Sequence, residues 1–207
     1  HRLPPVRVQV SMSTLKCQHL FENNPVIAGV RSPKQLKEAI DSPTEVIFLL
    51  CGSIYNLEMM VNHIKQAGKS AFVHLDLIKG YGQDSYFVKY LADDIHPAGV
   101  ISTKNSLLQR AKQDGLMTIQ RVFMLDSAAL EVSLNAVRKV RPDAVEVLPG
   151  VVPKLITRVD EALNIPIITG GFIQTAEEVR AGLEAGALSC STSDPELWSL
   201  NYSIKNK

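Results

Sequence analysis

The chain has 207 residues, with 22 Lys and Arg against 21 Asp and Glu, a net charge of +1 and a hydrophobic share of 45%. That balance argues against a chain built chiefly to bind polyanions, though not against a local basic patch; no apolar run nears the roughly 18–20 residues of a membrane span, and the start carries no secretory signal pattern. The cysteines, Cys17, Cys51 and Cys190, are odd in number and sparse, which fits a reducing cytosol better than a disulfide framework, and no pair is spaced for zinc.

Residues 1–24 read as an N-terminal extension. His1 to Val10 holds two prolines and no periodicity, and Met12 has the look of a natural start, so the residues before it are expected to be added upstream or poorly ordered. Ser13 to Phe21 is long enough for a short helix that plugs or caps a domain. From residue 25 to 207 one unit repeats: a short apolar strand, a turn, an amphipathic stretch. The strands fall at Val26–Val30, Val46–Cys51, Ser70–Ile78, Gly99–Ser102, Thr118–Leu125, Ala144–Leu148, Ile167–Gly170 and Leu188–Ser191. Helices are predicted to begin near Pro33, Asn56, Asp84, Asn105, Ser127, Val152, Thr175 and Pro195.

The punctuation agrees. Ser32-Pro33 reads as an N-cap followed by proline at the first helical position, Thr175-Ala176-Glu177-Glu178 as a capping box, and Asp126 or Ser127 as the cap of the fifth helix. Gly68, Gly115 and Gly186 each close a helix. Leu130, Leu134, Val137 and Val140 recur at helical spacing, whereas the strands are apolar on both phases, as parallel strands buried on two faces must be. Strict alternation implies a parallel sheet, and eight units predict a compact, single-domain (β/α)8 TIM-type barrel. An open sheet with a Gly-x-Gly-x-x-Gly loop or a Walker lysine loop finds no support. The barrel segment, fewer than about 185 residues, is short against the usual ~250, so loops and the last helix must be minimal.

In such a barrel functional residues sit at the C-terminal strand ends, with a phosphate site in the loops after the last two strands. Those loops hold Gly170-Gly171 and Ser191-Thr192-Ser193. Glycine lets backbone N–H groups approach an anion and hydroxyls add donors, so Gly170, Gly171, Ser191 and Thr192 are the expected phosphate-binding residues. The other strand ends supply Arg31, Cys51-Gly52, His74, Asp76, Lys79, Ser102 to Lys104, Arg121 and Glu146. His74 and Asp76 lie two apart and so share one strand face, with Phe72 and Ile78. Asp76 is either an acceptor for ligand hydroxyls or a structural partner of Lys104, Arg121 or His74. His74 alone reads as a core histidine with its hydrogen bonds met; it joins the ligand-binding set beside Asp76. Arg121 and Glu146 interrupt apolar strands and either grip a ligand, bidentately in the case of Arg121, or form a buried ion pair. Lys104 is a ligand cation or a solvated helix-start lysine. Pro149-Gly150 reads as a tight turn, Gly80-Tyr81-Gly82 as a flap or a plain loop. No nucleophile–base pair stands out.

His74-Leu75-Asp76-Leu77-Ile78-Lys79-Gly80, Ile101-Ser102-Thr103-Lys104, the run from Ile119 to Ser127, Val145-Glu146-Val147-Leu148-Pro149-Gly150, Gly170-Gly171, Ser191-Thr192-Ser193 and Glu196-Leu197-Trp198 together resemble the glycerol-3-phosphate-responsive antiterminators. The resemblance runs from about Val26 to Trp198; one departure is Cys51-Gly52, where the family pattern has a small pair such as Gly-Gly. It implies a cytoplasmic, non-enzymatic regulator without cofactor or metal, which senses glycerol 3-phosphate through Asp76, Lys104, Arg121, Glu146 and His74 and acts on leader mRNA so that transcription of glycerol uptake genes passes a terminator. A homo-oligomer is compatible with the sequence; a membrane partner is not expected. The alternative is a barrel enzyme acting on a triose or sugar phosphate, with Asp76 and Lys79 or Lys104 as an acid–base pair and Glu146 as a base.

Overall fold

The computed structural model describes residues 10–206, and the reading of the first nine residues lies outside them. Eight parallel strands close into a barrel in sequence order: β1 (Val26–Val30), β2 (Val46–Leu49), β3 (Ser70–His74), β4 (Gly99–Ser102), β5 (Met117–Phe123), β6 (Ala144–Leu148), β7 (Ile167–Thr169) and β8 (Ser189–Thr192). Around them run α1 (Met12–Glu22), α2 (Leu36–Asp41), α3 (Leu57–Gln66), α4 (Ser85–Tyr90), α5 (Asn105–Gln113), α6 (Ser127–Val140), α7 (Pro153–Ala162), α8 (Ala176–Glu184), α9 (Pro195–Trp198) and α10 (Leu200–Lys205). The short length is reached by trimming: β7 has 3 residues, α2 has 6 and α9 has 4.

Both phases of each strand are buried, for two different reasons. One phase, including Ala28, Val30, Ile47, Leu49, Val73 and Val100, packs outward on the helices. The other, Ile27, Phe48, Phe72, Ile101, Ile119, Ala144 and Ile168, fills the lower barrel interior. Helix α1 closes the floor: Phe21 and Cys17 join that inner cluster, with the Phe21 ring 5.8 Å from Phe72 and 6.5 Å from Phe48. Asp143 anchors the helix from the sheet. Its carboxylate accepts from Ser13 Oγ and Thr14 Oγ1, and also from the Thr118 N–H and Oγ1.

Local chemistry sets the boundaries. Asp126, rather than Ser127, caps α6, accepting from Ala129 N at 2.7 Å. Thr175 accepts from Glu178 N, and its hydroxyl meets the Glu178 carboxylate. Ser32 and Pro33 take the N-cap and first-turn positions as read, but of a 3₁₀ turn, Pro33–Gln35, that precedes α2, and the Ser32 side chain makes no cap hydrogen bond. Strand β3 is a correction. It stops at His74 rather than Ile78, and Leu75–Leu77 form a 3₁₀ turn.

Candidate functional site

Two residues above the apolar inner layer, three strands change to charged or titratable side chains. Phe72 is followed by His74, Ile119 by Arg121 and Ala144 by Glu146, whereas Phe48 on β2 is followed by Leu50 and β8 carries a hydroxyl at both levels, Ser189 and Ser191. Side chains two apart on a strand share a face, so the same faces that pack the apolar floor carry polar groups at the top.

Arg121 and Glu146 are register partners on β5 and β6. Arg121 Nε donates to Glu146 Oε1 at 2.5 Å, and Ser191 Oγ donates to Glu146 Oε2 at 2.7 Å. Glu146 is fully buried, while Arg121 also lines the cavity above. Of the two sequence alternatives for this pair the buried ion pair is present, and its cation still faces the mouth.

That cavity, of about 1120 Å³, is lined by Gly29, Arg31, Leu50, Leu77, Arg121, Leu148, the segment Gly171 to Gln174 and the segment Ser191 to Asp194. The loops after β7 and β8 thus converge on one space. Gly170 itself is buried and its N–H continues the ladder to Val147 O at 3.1 Å. Gly171 turns the chain at φ +83°, in the left-handed region that favours glycine. Among the described residues, the N–H groups of Gly171 and Ser193 take part in no loop or turn hydrogen bond. Thr192 ties the two loops together: its hydroxyl donates to Ile173 O and accepts from Asp194 N, while its carbonyl accepts from Trp198 Nε1.

The remaining candidates separate. Asp76 is not on the face of His74, because the strand has already ended. Its carboxylate accepts from Ser102 Oγ at 2.6 Å and from Thr103 N and Oγ1 at 2.9 and 2.6 Å, so it buckles the ends of β3 and β4. Burial pushes its pKa up, but these hydrogen bonds outweigh burial and hold it below the usual carboxylate value. Ile78, also expected on the His74 face, packs in the outer cluster. Lys104 stands at the start of α5, with Nζ on the Gln83 side-chain carbonyl, and it makes no ion pair with Asp76 among the described residues. Tyr81, in the loop before α4, packs against that helix with its ring stacked 4.4 Å from that of Phe87, and Lys79 pairs with the backbone of Gly52 and Ile54.

His74 is the core histidine the sequence predicts, but without the hydrogen bonds expected of it. It is 2% exposed, yet neither ring nitrogen has a hydrogen-bond partner among the described residues. Burial, and then the charge of Arg121, push its pKa down to about 4, so the ring is neutral at physiological pH.

Sequence reasoning passed over Ser193, Gln174 and Phe172 as site residues. Ser193 belonged to a motif already in view. Phe172, 77% exposed at φ 62°, gave no signal, since left-handed backbone at a bulky residue is unexpected from local sequence.

Comparison with known proteins fits this geometry. The family model described as "Glycerol-3-phosphate responsive antiterminator" matches residues 26–198. The chain is 37% identical over 182 residues to the uncharacterized protein YgcP of Escherichia coli (strain K12), covering 88% of this chain and 95% of that one. Among solved structures, the glycerol uptake operon antiterminator regulatory protein of Listeria monocytogenes superposes with a TM-score of 0.81 at 32% identity, over 84% of this chain and 94% of the other. A glycerol uptake operon antiterminator-related protein of Thermotoga maritima gives 0.76 at 30% identity, over 84% and 98%. The chain belongs to the glycerol-3-phosphate responsive antiterminator family.

Proposed function

We propose that this protein is a sensor of glycerol 3-phosphate that, when loaded, acts on leader mRNA to let transcription pass a terminator in genes of glycerol use. The observation that carries the ligand half is the convergence of the loops after β7 and β8 on one mouth cavity, with Arg31 and Arg121 on its wall. In this reading the phosphate takes hydrogen bonds from the N–H groups of Gly171 and Ser193, in the cradle first assigned to Gly170, Gly171, Ser191 and Thr192. Gly170 and Thr192 shape that cradle, and Ser191 holds Glu146. Arg121 supplies a guanidinium suited to an oxyanion, and Glu146 and His74 lie under the ligand's carbon chain.

Glycerol 3-phosphate has about ten heavy atoms. Micromolar binding needs ~8 kcal/mol, or roughly 0.8 per atom, which lies below the ceiling for very small ligands. The ligand must favour the RNA-competent form, since equal affinity for two forms shifts nothing. The RNA half rests on membership of the family.

Calorimetry tests the ligand half: glycerol 3-phosphate is expected to bind saturably and glycerol not at all, and equal heats from both would overturn the reading. For the RNA half, affinity for leader RNA is expected to rise with the ligand and to fall with added salt as phosphate contacts are screened. Affinity indifferent to both would remove it.

A further inference from the structure

The imidazole of His74 is the least satisfied polar group at the heart of the candidate site. It is 2% exposed, and neither Nδ1 nor Nε2 is hydrogen-bonded within the described residues. Buried polar atoms in folded proteins nearly always find partners, so a bare ring here asks what is meant to meet it. The nearest carboxylate in sequence, Asp76, is occupied by Ser102 at the end of β4 and by Thr103 just after it. The buried carboxylate near the mouth, Glu146, is occupied by Arg121 and Ser191, and the one at the floor, Asp143, by Ser13, Thr14 and Thr118. All three acids are committed elsewhere.

Its position narrows the partner. His74 stands two residues above Phe72 on the inward face of β3, close enough to Arg121 for that charge to disfavour imidazolium. Arg121 lines the mouth cavity and His74 does not, so the buried ring neighbours a residue of the cavity wall. Held neutral by burial and by Arg121, the ring offers one N–H donor and one bare nitrogen acceptor. A phosphate or carboxylate only accepts and satisfies half of that pair. A hydroxyl group both donates and accepts and so can satisfy either nitrogen.

We infer that His74 is the specificity-determining residue of this site, reading a free hydroxyl on the carbon chain of a small phosphate monoester and so selecting polyol phosphates over esters without hydroxyls. The inference rests on the proposed phosphate site and says which esters that site accepts. A site built to bond a hydroxyl rejects the analogue lacking it, because its own buried groups are then left unpaired.

The experiment titrates the full chain with glycerol 3-phosphate and with n-propyl phosphate, which has the same three carbons and no free hydroxyl. Wild type is expected to prefer glycerol 3-phosphate by about tenfold or more. His74→Leu is expected to bring the two affinities to within about twofold, chiefly by weakening glycerol 3-phosphate, while His74→Gln, which keeps a donor and an acceptor, retains a preference. A wild type without preference, or a His74→Leu that keeps it, overturns the inference while the phosphate site stands. Failure of both esters to bind wild type overturns the proposed site and this inference with it. Ring-nitrogen NMR on wild type needs no stable leucine variant: the His74 resonance, identified by its loss in His74→Gln, is expected to shift with glycerol 3-phosphate and not with n-propyl phosphate. Equal shifts, or none, count against the role.

Discussion

Gly170 presses its bare α-carbon against Glu146: a Cβ there would lie 3.0 Å from Glu146 Oε2 and 2.7 Å from Ser191 Oγ. Both atoms belong to one hydrogen bond in the buried layer under the mouth. Gly170→Ala is therefore expected to force that pair apart. Overpacking of this kind costs about 1–3 kcal/mol, and the expected reading is a lower unfolding midpoint in urea together with affinity for glycerol 3-phosphate reduced by about tenfold. A variant as stable as wild type would show that Glu146 has somewhere else to go.

The floor of the barrel makes a different prediction. Asp143 is the shared acceptor for α1 and for the start of β5. Asp143→Ala leaves the buried Thr118 N–H without its acceptor and releases the Ser13 and Thr14 hydroxyls. An unsatisfied buried group costs about 1–3 kcal/mol, so a loss of about 2–4 kcal/mol is expected in denaturant titration. Hydrogen exchange is expected to rise across residues 12–22, while ligand binding at the opposite end of the barrel changes little. Unchanged exchange in α1 would mean that the Phe21 plug holds the helix alone.

His74 predicts a pH dependence of stability. An unfolded histidine titrates near pH 6.5, whereas burial and Arg121 lower the folded value to about 4. Between these values the unfolded chain holds the extra proton, so stability rises with pH across the window and is lost on acidification from about pH 6.5 to 4. The full span corresponds to at most about 3 kcal/mol. Asp76, lowered in the fold, withdraws its own contribution only at more acid pH, as it protonates. Thermal unfolding of wild type and His74→Gln at pH 7 and pH 5 checks this: the drop is expected to be steeper for wild type. Parallel drops would place the proton elsewhere.

How much of this was legible beforehand depends on how local the cause is. Most strands announced themselves as apolar runs rich in β-branched residues, though β8, Ser-Cys-Ser-Thr, did so only by its place after the Gly186 turn, and the helix starts because Asp126 and Thr175 act within three residues of themselves. The end of β3 did not. Leu75 and Leu77 continue an apolar alternation that reads as strand, and no glycine or proline interrupts it before Gly80. What fixes Asp76 is Ser102 at the end of the neighbouring strand β4 and Thr103 just after it. The anchor at Asp143 was hidden likewise, since its partners Ser13 and Thr14 stand at the far end of the chain. For the site, Arg121 and Glu146 were visible as charges breaking apolar strands, but their register pairing needed the closed barrel. The bare nitrogens of His74 are invisible to any one-dimensional reading, because satisfaction is a property of neighbours.

The ion pair itself allows fold and binding to be separated. Arg121→Met strands the fully buried Glu146 with Ser191 as its remaining partner. Removing one member of a buried pair costs about 3–5 kcal/mol, whereas replacing both by well-packed apolar residues is often neutral or stabilising. The double variant Arg121→Met with Glu146→Leu is therefore expected to recover most of the stability lost in the single variant. It is not expected to recover binding, because the guanidinium facing the mouth is gone, and affinity for glycerol 3-phosphate should stay at least tenfold below wild type. Urea titration and calorimetry on the same samples give both readings. A double variant that is stable and binds like wild type would reduce Arg121 to a packing residue, and the anion would then have to be held by Arg31 and the backbone of the β7 and β8 loops.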